Sequence, residues 1–119
     1  MAKPFRRLRL LILGVVVVSY VEWRSQVNVV VREAELLSGL FSVVEGRYRA
    51  GVVDVEGLRR VYIVAKGLLD VCNTLILIGE SFEAGERGGD YEQLMRRLRE
   101  VRNYAEGVID FVRRVIGEV

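Results

Sequence analysis

The chain has 119 residues and a mass of 13.5 kDa, the size of one domain with room for a real core. About half of its residues are apolar and 29% are charged, which excludes both a disordered chain and a multi-span membrane protein. With no histidine, one cysteine and a formal charge of +2, disulfide scaffolds, Cys/His metal sites and histidine-based catalysis are excluded, and the charge by itself names no nucleic-acid or membrane partner.

The amino-terminal segment is the unusual one. Lys3, Arg6, Arg7 and Arg9 precede a run from Leu10 to Val21 that is apolar on every side, broken only by Gly14 and Ser19. Downstream, Val27, Val30, Ala34, Leu37, Phe41, Val44 and Tyr48 form an apolar seam with alternating steps of three and four. The same register extends back through Trp23, Tyr20, Val16 and Leu13, and Pro4 suits a first helical turn. The pattern predicts one continuous helix from Pro4 to Tyr48, roughly 65 Å long at 1.5 Å per residue. A polar stripe of Asn28, Arg32, Glu35 and Ser42 accompanies the seam but disappears upstream.

The second segment carries a seam of Leu58, Val61, Ala65, Leu68, Cys72, Leu75, Gly79 and Phe82. Arg59, Lys66, Asp70, Asn73 and Glu80 make its polar stripe, and Cys72 reads as a small core residue. A strand over Thr74–Gly79 leading to a nucleotide-binding loop is the competing reading. It fails because the polar stripe continues at helical spacing, and because the loop from Glu80 to Asp90 has four carboxylates and no lysine. In the third segment Leu94, Leu98, Val101, Ala105, Val108, Val112, Val115 and Val119 form a heptad seam, widened by Ile109, Phe111 and Ile116. Helices near 56–84 and 91–118 follow, about 40–45 Å each. Gly51 is placed to end the first helix, Asp54 and Asp90 to cap the next two, and Gln93 to complete a capping box with Asp90.

The expected fold is all-α: an antiparallel three-helix bundle with heptad-patterned seams and a long first helix. It becomes a four-helix bundle if the amino-terminal run breaks near Glu22–Ser25, with Ser25 as cap, and folds back. Residues 1–119 form one domain, with 1–23 as an apolar helical extension and 24–119 as the body.

A helix apolar all round must bury its surface somewhere, since each exposed Leu, Ile or Val costs on the order of 1.5–3 kcal/mol. Packing against a neighbouring subunit makes Leu10, Leu11, Ile12, Leu13, Val15, Val16, Val17, Val18, Tyr20 and Trp23 a self-association surface. The expected role is therefore a non-enzymatic structural or assembly subunit, such as a coat, scaffold or filament component, forming a homo-oligomer inside the cell or in a virion-like assembly. Insertion in a membrane through residues 5–23 is an alternative, with the basic start inside and Tyr20 and Trp23 at the interface. A secretory signal is disfavoured because no small-x-small site follows.

Arginine supplies the third class of function. It occurs sixteen times against two lysines, and apolar–Arg–Arg–apolar recurs at residues 5–8, 58–61, 95–98 and 112–115. Rows of phosphate contacts would use Arg47, Arg49, Arg96, Arg97, Arg99, Arg113 and Arg114, as in a nucleoprotein subunit. The structural alternative places the arginines on solvent faces in ion pairs Glu92–Arg96, Arg96–Glu100, Arg102–Glu106 and Asp110–Arg114. The arginine-rich, threonine-poor composition suits a thermophile source as well as a GC-rich genome. No carboxylate falls on a seam, so no di-metal carboxylate core, cofactor or small-molecule substrate is indicated.

Overall fold

A computed structural model describes residues 19–117, and among these the fold is all-α. Helix α1 spans Tyr20–Arg49, α2 spans Val55–Ser81 and α3 spans Tyr91–Ile116. A 3-10 turn at Ala84–Glu86 lies between α2 and α3.

The continuous helix expected from Pro4 is corrected at Ser19. Ser19 has extended backbone, φ −80° and ψ 168°, and is the N-cap of α1. Its hydroxyl accepts from the Glu22 N–H at 3.2 Å, while the Glu22 carboxylate accepts from the Ser19 N–H at 3.2 Å. This reciprocal capping box satisfies two of the donors that a helix start leaves open. A break near Glu22–Ser25 with Ser25 as cap is thereby overturned, because both residues lie inside α1. The remainder of the expected extension, Leu10 to Val18, lies outside the described residues.

At its other end α1 stops where expected. Gly51 has φ +89°, its N–H donates to the Tyr48 carbonyl, and the Val52 N–H donates to the Arg47 carbonyl. These two bonds are the pair that closes a helix through a left-handed residue. Asp54 then caps α2 by accepting from the Gly57 N–H at 2.9 Å, and it also binds the Arg47 guanidinium, so one carboxylate ties the last turn of α1 to the first of α2.

Asp90 departs from its expected role. It precedes α3, but its side chain makes no bond to that helix, and the Asp90–Gln93 capping box is absent. Its carboxylate accepts instead from the Tyr20 hydroxyl at 2.6 Å, linking the start of α1 to the start of α3. Helix α2 also ends three residues short of expectation. Phe82 turns to extended backbone and is buried, its ring meeting Tyr20 and Trp23 edge-on.

The three helices share one hydrophobic core, and no polar or charged residue is buried among the described residues. α3 packs most extensively on α2 and α1 least on α3. All eight expected seam residues of α2 are buried, as are Leu94, Leu98, Val101, Ala105, Val108 and Val112 of α3. On α1 the seam is buried at Trp23, Val27, Val30, Leu37 and Val44, with Ala34 and Phe41 half-buried. Tyr48 is the exception at 43% exposed, its ring resting edge-on against Phe111. The segment Thr74–Gly79 is helical throughout, which removes the strand reading.

Candidate functional site

The expected association surface divides at Ser19. Leu10, Leu11, Ile12, Leu13, Val15, Val16, Val17 and Val18 lie outside the described residues, whereas Tyr20 and Trp23 belong to the body. Trp23 is completely buried, its Nε1–H donating to the Leu75 carbonyl at 2.8 Å. It meets Phe82 and Tyr91 at ring-centroid distances of 5.6 and 5.8 Å. The Tyr91 hydroxyl donates to the Gly79 carbonyl at 2.9 Å, and the Arg87 guanidinium covers the Tyr91 ring at 4.2 Å. A tryptophan held this way is a core residue. Trp23 therefore belongs to the body of the bundle and not to an extension ending at residue 23.

Tyr20 is half-buried and also committed internally. Burial and the Asp90 carboxylate push its hydroxyl up to about 12. The same hydrogen bond, helped by Arg24 at 3.6 Å, holds Asp90 below the usual carboxylate range. These groups form a structural clasp between α1 and α3.

The arginines named as phosphate contacts do not converge. Arg47 and Arg49 close α1, near the end of α3 that carries Arg113 and Arg114, as the contact of Tyr48 with Phe111 shows. Arg96, Arg97 and Arg99 lie in the N-terminal half of α3, toward the opposite end. All seven are exposed. The four expected ion pairs on α3 are not formed. The pairs present among the described residues are Arg24–Asp90, Arg47–Asp54, Arg49–Glu45 and Arg60–Glu56. Long side chains on an open helix surface lose rotamer freedom on pairing and gain little in water, so the absence of these pairs costs little. Arg113 bonds the Tyr62 hydroxyl at 3.3 Å instead.

Two features were not anticipated from sequence. One is an open groove of about 270 Å³ between α1 and α3, lined by Val31, Ala34, Ser38, Val101 and Tyr104 among others. Small residues at 34 and 38 leave space where these helices are least engaged. The other is a band of large apolar side chains facing outward. Leu36, Leu40 and Val43 on α1 are 70, 52 and 55% exposed, and Val64 and Val71 on α2 are 39 and 45% exposed. The α1 members repeat at steps of four and three, so a second seam was visible in the sequence beside the one assigned to the core. Among the described residues no group of three or more His, Cys, Asp or Glu is placed to hold a metal ion.

No family model, no curated protein and no solved structure matches this chain.

Proposed function

We propose that this chain is a non-enzymatic structural subunit that self-associates through apolar helix surfaces. Its body is read as an antiparallel up-down-up bundle, consistent with Val44 lying beside Gly57 at one end of the α1–α2 pair and Trp23 beside Gly79 at the other. The observation that carries the reading is the outward apolar band on α1 and α2, in a fold whose three helices already share one core. Side chains of this kind gain by leaving water, and monomers rarely leave them clustered. The apolar run Leu10–Val18 adds to the same tendency.

The test is the solution mass at two ionic strengths. Assembly by apolar burial holds or strengthens as salt rises, whereas binding through phosphate contacts weakens steeply. A mass of one chain at both salts removes the reading. Val16→Asp combined with Val17→Asp tests the share carried by the amino-terminal run, and a fall in mass with helix content unchanged is the expected result.

A second reading, attachment to a membrane through residues 5–23 with the body on the inner side, draws on two observations. Lys3, Arg6, Arg7 and Arg9 directly precede the apolar run, the pattern of an inward-facing anchor. Helix α2 is also long and apolar enough to cross a bilayer. That helix buries its seam in the protein core, so it supports the reading less than the charges do. A nucleic-acid role for the arginines has less support, since Arg96, Arg97 and Arg99 stand toward the other end of the body from Arg47, Arg49, Arg113 and Arg114.

A further inference from the structure

The outward apolar side chains of α1 and α2 flank a single seam. On α2, Gly57, Val64 and Val71 recur every seven residues and so share a stripe, and a β-carbon at Gly57 would stand 3.0 Å from the Val44 side chain of α1. Val64 and Val71 therefore border α1. On α1, Leu40 neighbours Leu37 and Val44 on the helix surface, three and four residues away, and both are buried. The opposite flank of α1 is occupied by α3, through the ring contacts of Phe41 and Tyr48 with Phe111. Leu36, Leu40 and Val43 thus lie on the side of α1 away from α3, with Val64 level with Leu37 and Val71 about 8 Å nearer the start of α1 than Leu36.

We propose that a second copy of the chain covers this face, the two α1–α2 pairs meeting across a two-fold axis near Leu40 to form a shared four-helix core. The proposal rests on the self-association reading and gives it a location.

Three observations favour a second copy as the occupant. The first is reach. A helix made of residues 5–18 and folded back from Ser19 covers roughly 21 Å, whereas Leu40 stands roughly 30 Å along α1 from Tyr20. Such a helix would end level with Ala34, short of Leu40 and Val43. The second is charge. Glu33 and Arg47 are each seven residues from Leu40, on either side, and both are exposed. Antiparallel pairing of two α1 helices about Leu40 brings Glu33 of each copy to Arg47 of the other, so the patch is complementary to itself, as a closed two-fold interface requires. Glu33 makes no ion pair within the described residues, and one face of the Arg47 guanidinium remains open beyond Asp54. The third is area. The five apolar side chains expose on the order of 400 Å², within the range of functional patches and about half of one partner's share of a standard interface. The flanking polar residues supply the rest.

The experiment compares the solution mass of the full chain with that of Leu40→Glu/Val64→Glu. Both positions are substantially exposed, so the variant should keep the helical spectrum and thermal midpoint of the parent. The parent is expected at twice 13.5 kDa or a multiple of it, and the variant at half the parent's mass. A parent that assembles, with a variant of the same mass, overturns the location while self-association stands. A parent of one chain's mass overturns both. Cross-linking gives a second readout, because Cys72 is buried and leaves the surface free of thiols among the described residues. Leu40→Cys treated with a short bismaleimide should yield covalent dimer, and Arg59→Cys, on the polar stripe of α2, should not. Equal yields from the two count against the face.

Discussion

At Gly79 side chains from both other helices press on the backbone of α2. A β-carbon at this position of α2 would stand 2.6 Å from Met95 Sδ on α3 and 2.7 Å from Trp23 Cζ2 on α1. The methionine can yield, but the indole is fixed by its bond to Leu75 and by the rings around it. Gly79→Ala should therefore lose about 1–3 kcal/mol to overpacking, more than the helix-propensity gain of up to about 1 kcal/mol. Gly107→Ala, on α3 with open space around it, should gain about 0.5–1 kcal/mol. Urea midpoints of the two variants, moving in opposite directions from the parent, are the expected outcome. Equal shifts would show that the indole does yield.

Cys72 supplies a second test at the same scale. Burial pushes its thiol up from 9.0 to about 11, so the folded chain holds this proton more tightly than the unfolded chain does. The resulting stability is complete below pH 9 and is lost as pH rises from 9 to 11. Cys72→Ala should flatten the decline of stability over that window, read from denaturation midpoints at successive pH values. The variant's lower stability at neutral pH, from the small cavity, is a separate offset.

The ends of the helices depend on single polar side chains. Ser19→Ala removes the hydroxyl that accepts from Glu22 and should cost about 1 kcal/mol, with loss of amide protection confined to the first turn of α1. Asp54 acts differently. Its bond from the Gly57 N–H, then the Arg47 guanidinium, hold its carboxyl below the usual range. The stabilisation is present above that range and disappears as acid protonates the folded form. Asp54→Asn keeps an N-cap acceptor but no charge, so its stability should vary less with pH below about 4 than the parent's. An unchanged acid limb would assign the effect to other carboxylates, Asp90 first among them.

These termini also show how far sequence reached. The seams of α2 and α3 were legible because burial follows a heptad period whether or not the partner is known. Gly51 was legible because a left-handed residue is costly for anything else. The start of α1 was written in Ser19-Tyr20-Val21-Glu22, but the apolar register continues through that capping box and masked it. Asp90 could not be assigned from its neighbours, since its partner Tyr20 is seventy residues away. The second apolar stripe of α1 was visible in the spacing of Leu36, Leu40 and Val43, yet one stripe resembles another until packing selects which faces inward. The arginine pairs failed for a different reason. Helical spacing permits an ion pair but gives it little stability on an open surface, so spacing alone does not tell which pairs form.

At the scale of the whole molecule, charge and core are separated along the chain. Four of the eighteen basic residues, Lys3, Arg6, Arg7 and Arg9, precede Leu10, leaving fourteen against all sixteen carboxylates in the remainder. Among the described residues the core runs from Trp23 to Val112 and is shared by all three helices. Removal of residues 1–18 should therefore reverse the net charge from +2 to −2 while the remaining chain keeps its helical spectrum and unfolds cooperatively. This truncation separates the three possible uses of the amino-terminal run. If it anchors the protein, the full chain sediments with anionic vesicles and the truncated chain does not, because the truncated chain has lost both the apolar run and the basic residues that favour an anionic surface. If the run builds the assembly, the truncated chain falls to the mass of one body with no change at the α1–α2 face. If the face alone builds the assembly, the truncated chain still dimerises and Leu40→Glu/Val64→Glu dissolves the dimer. A truncated chain that does not fold would show that residues before Ser19 complete the core, and would place the division between extension and body somewhere other than the capping box.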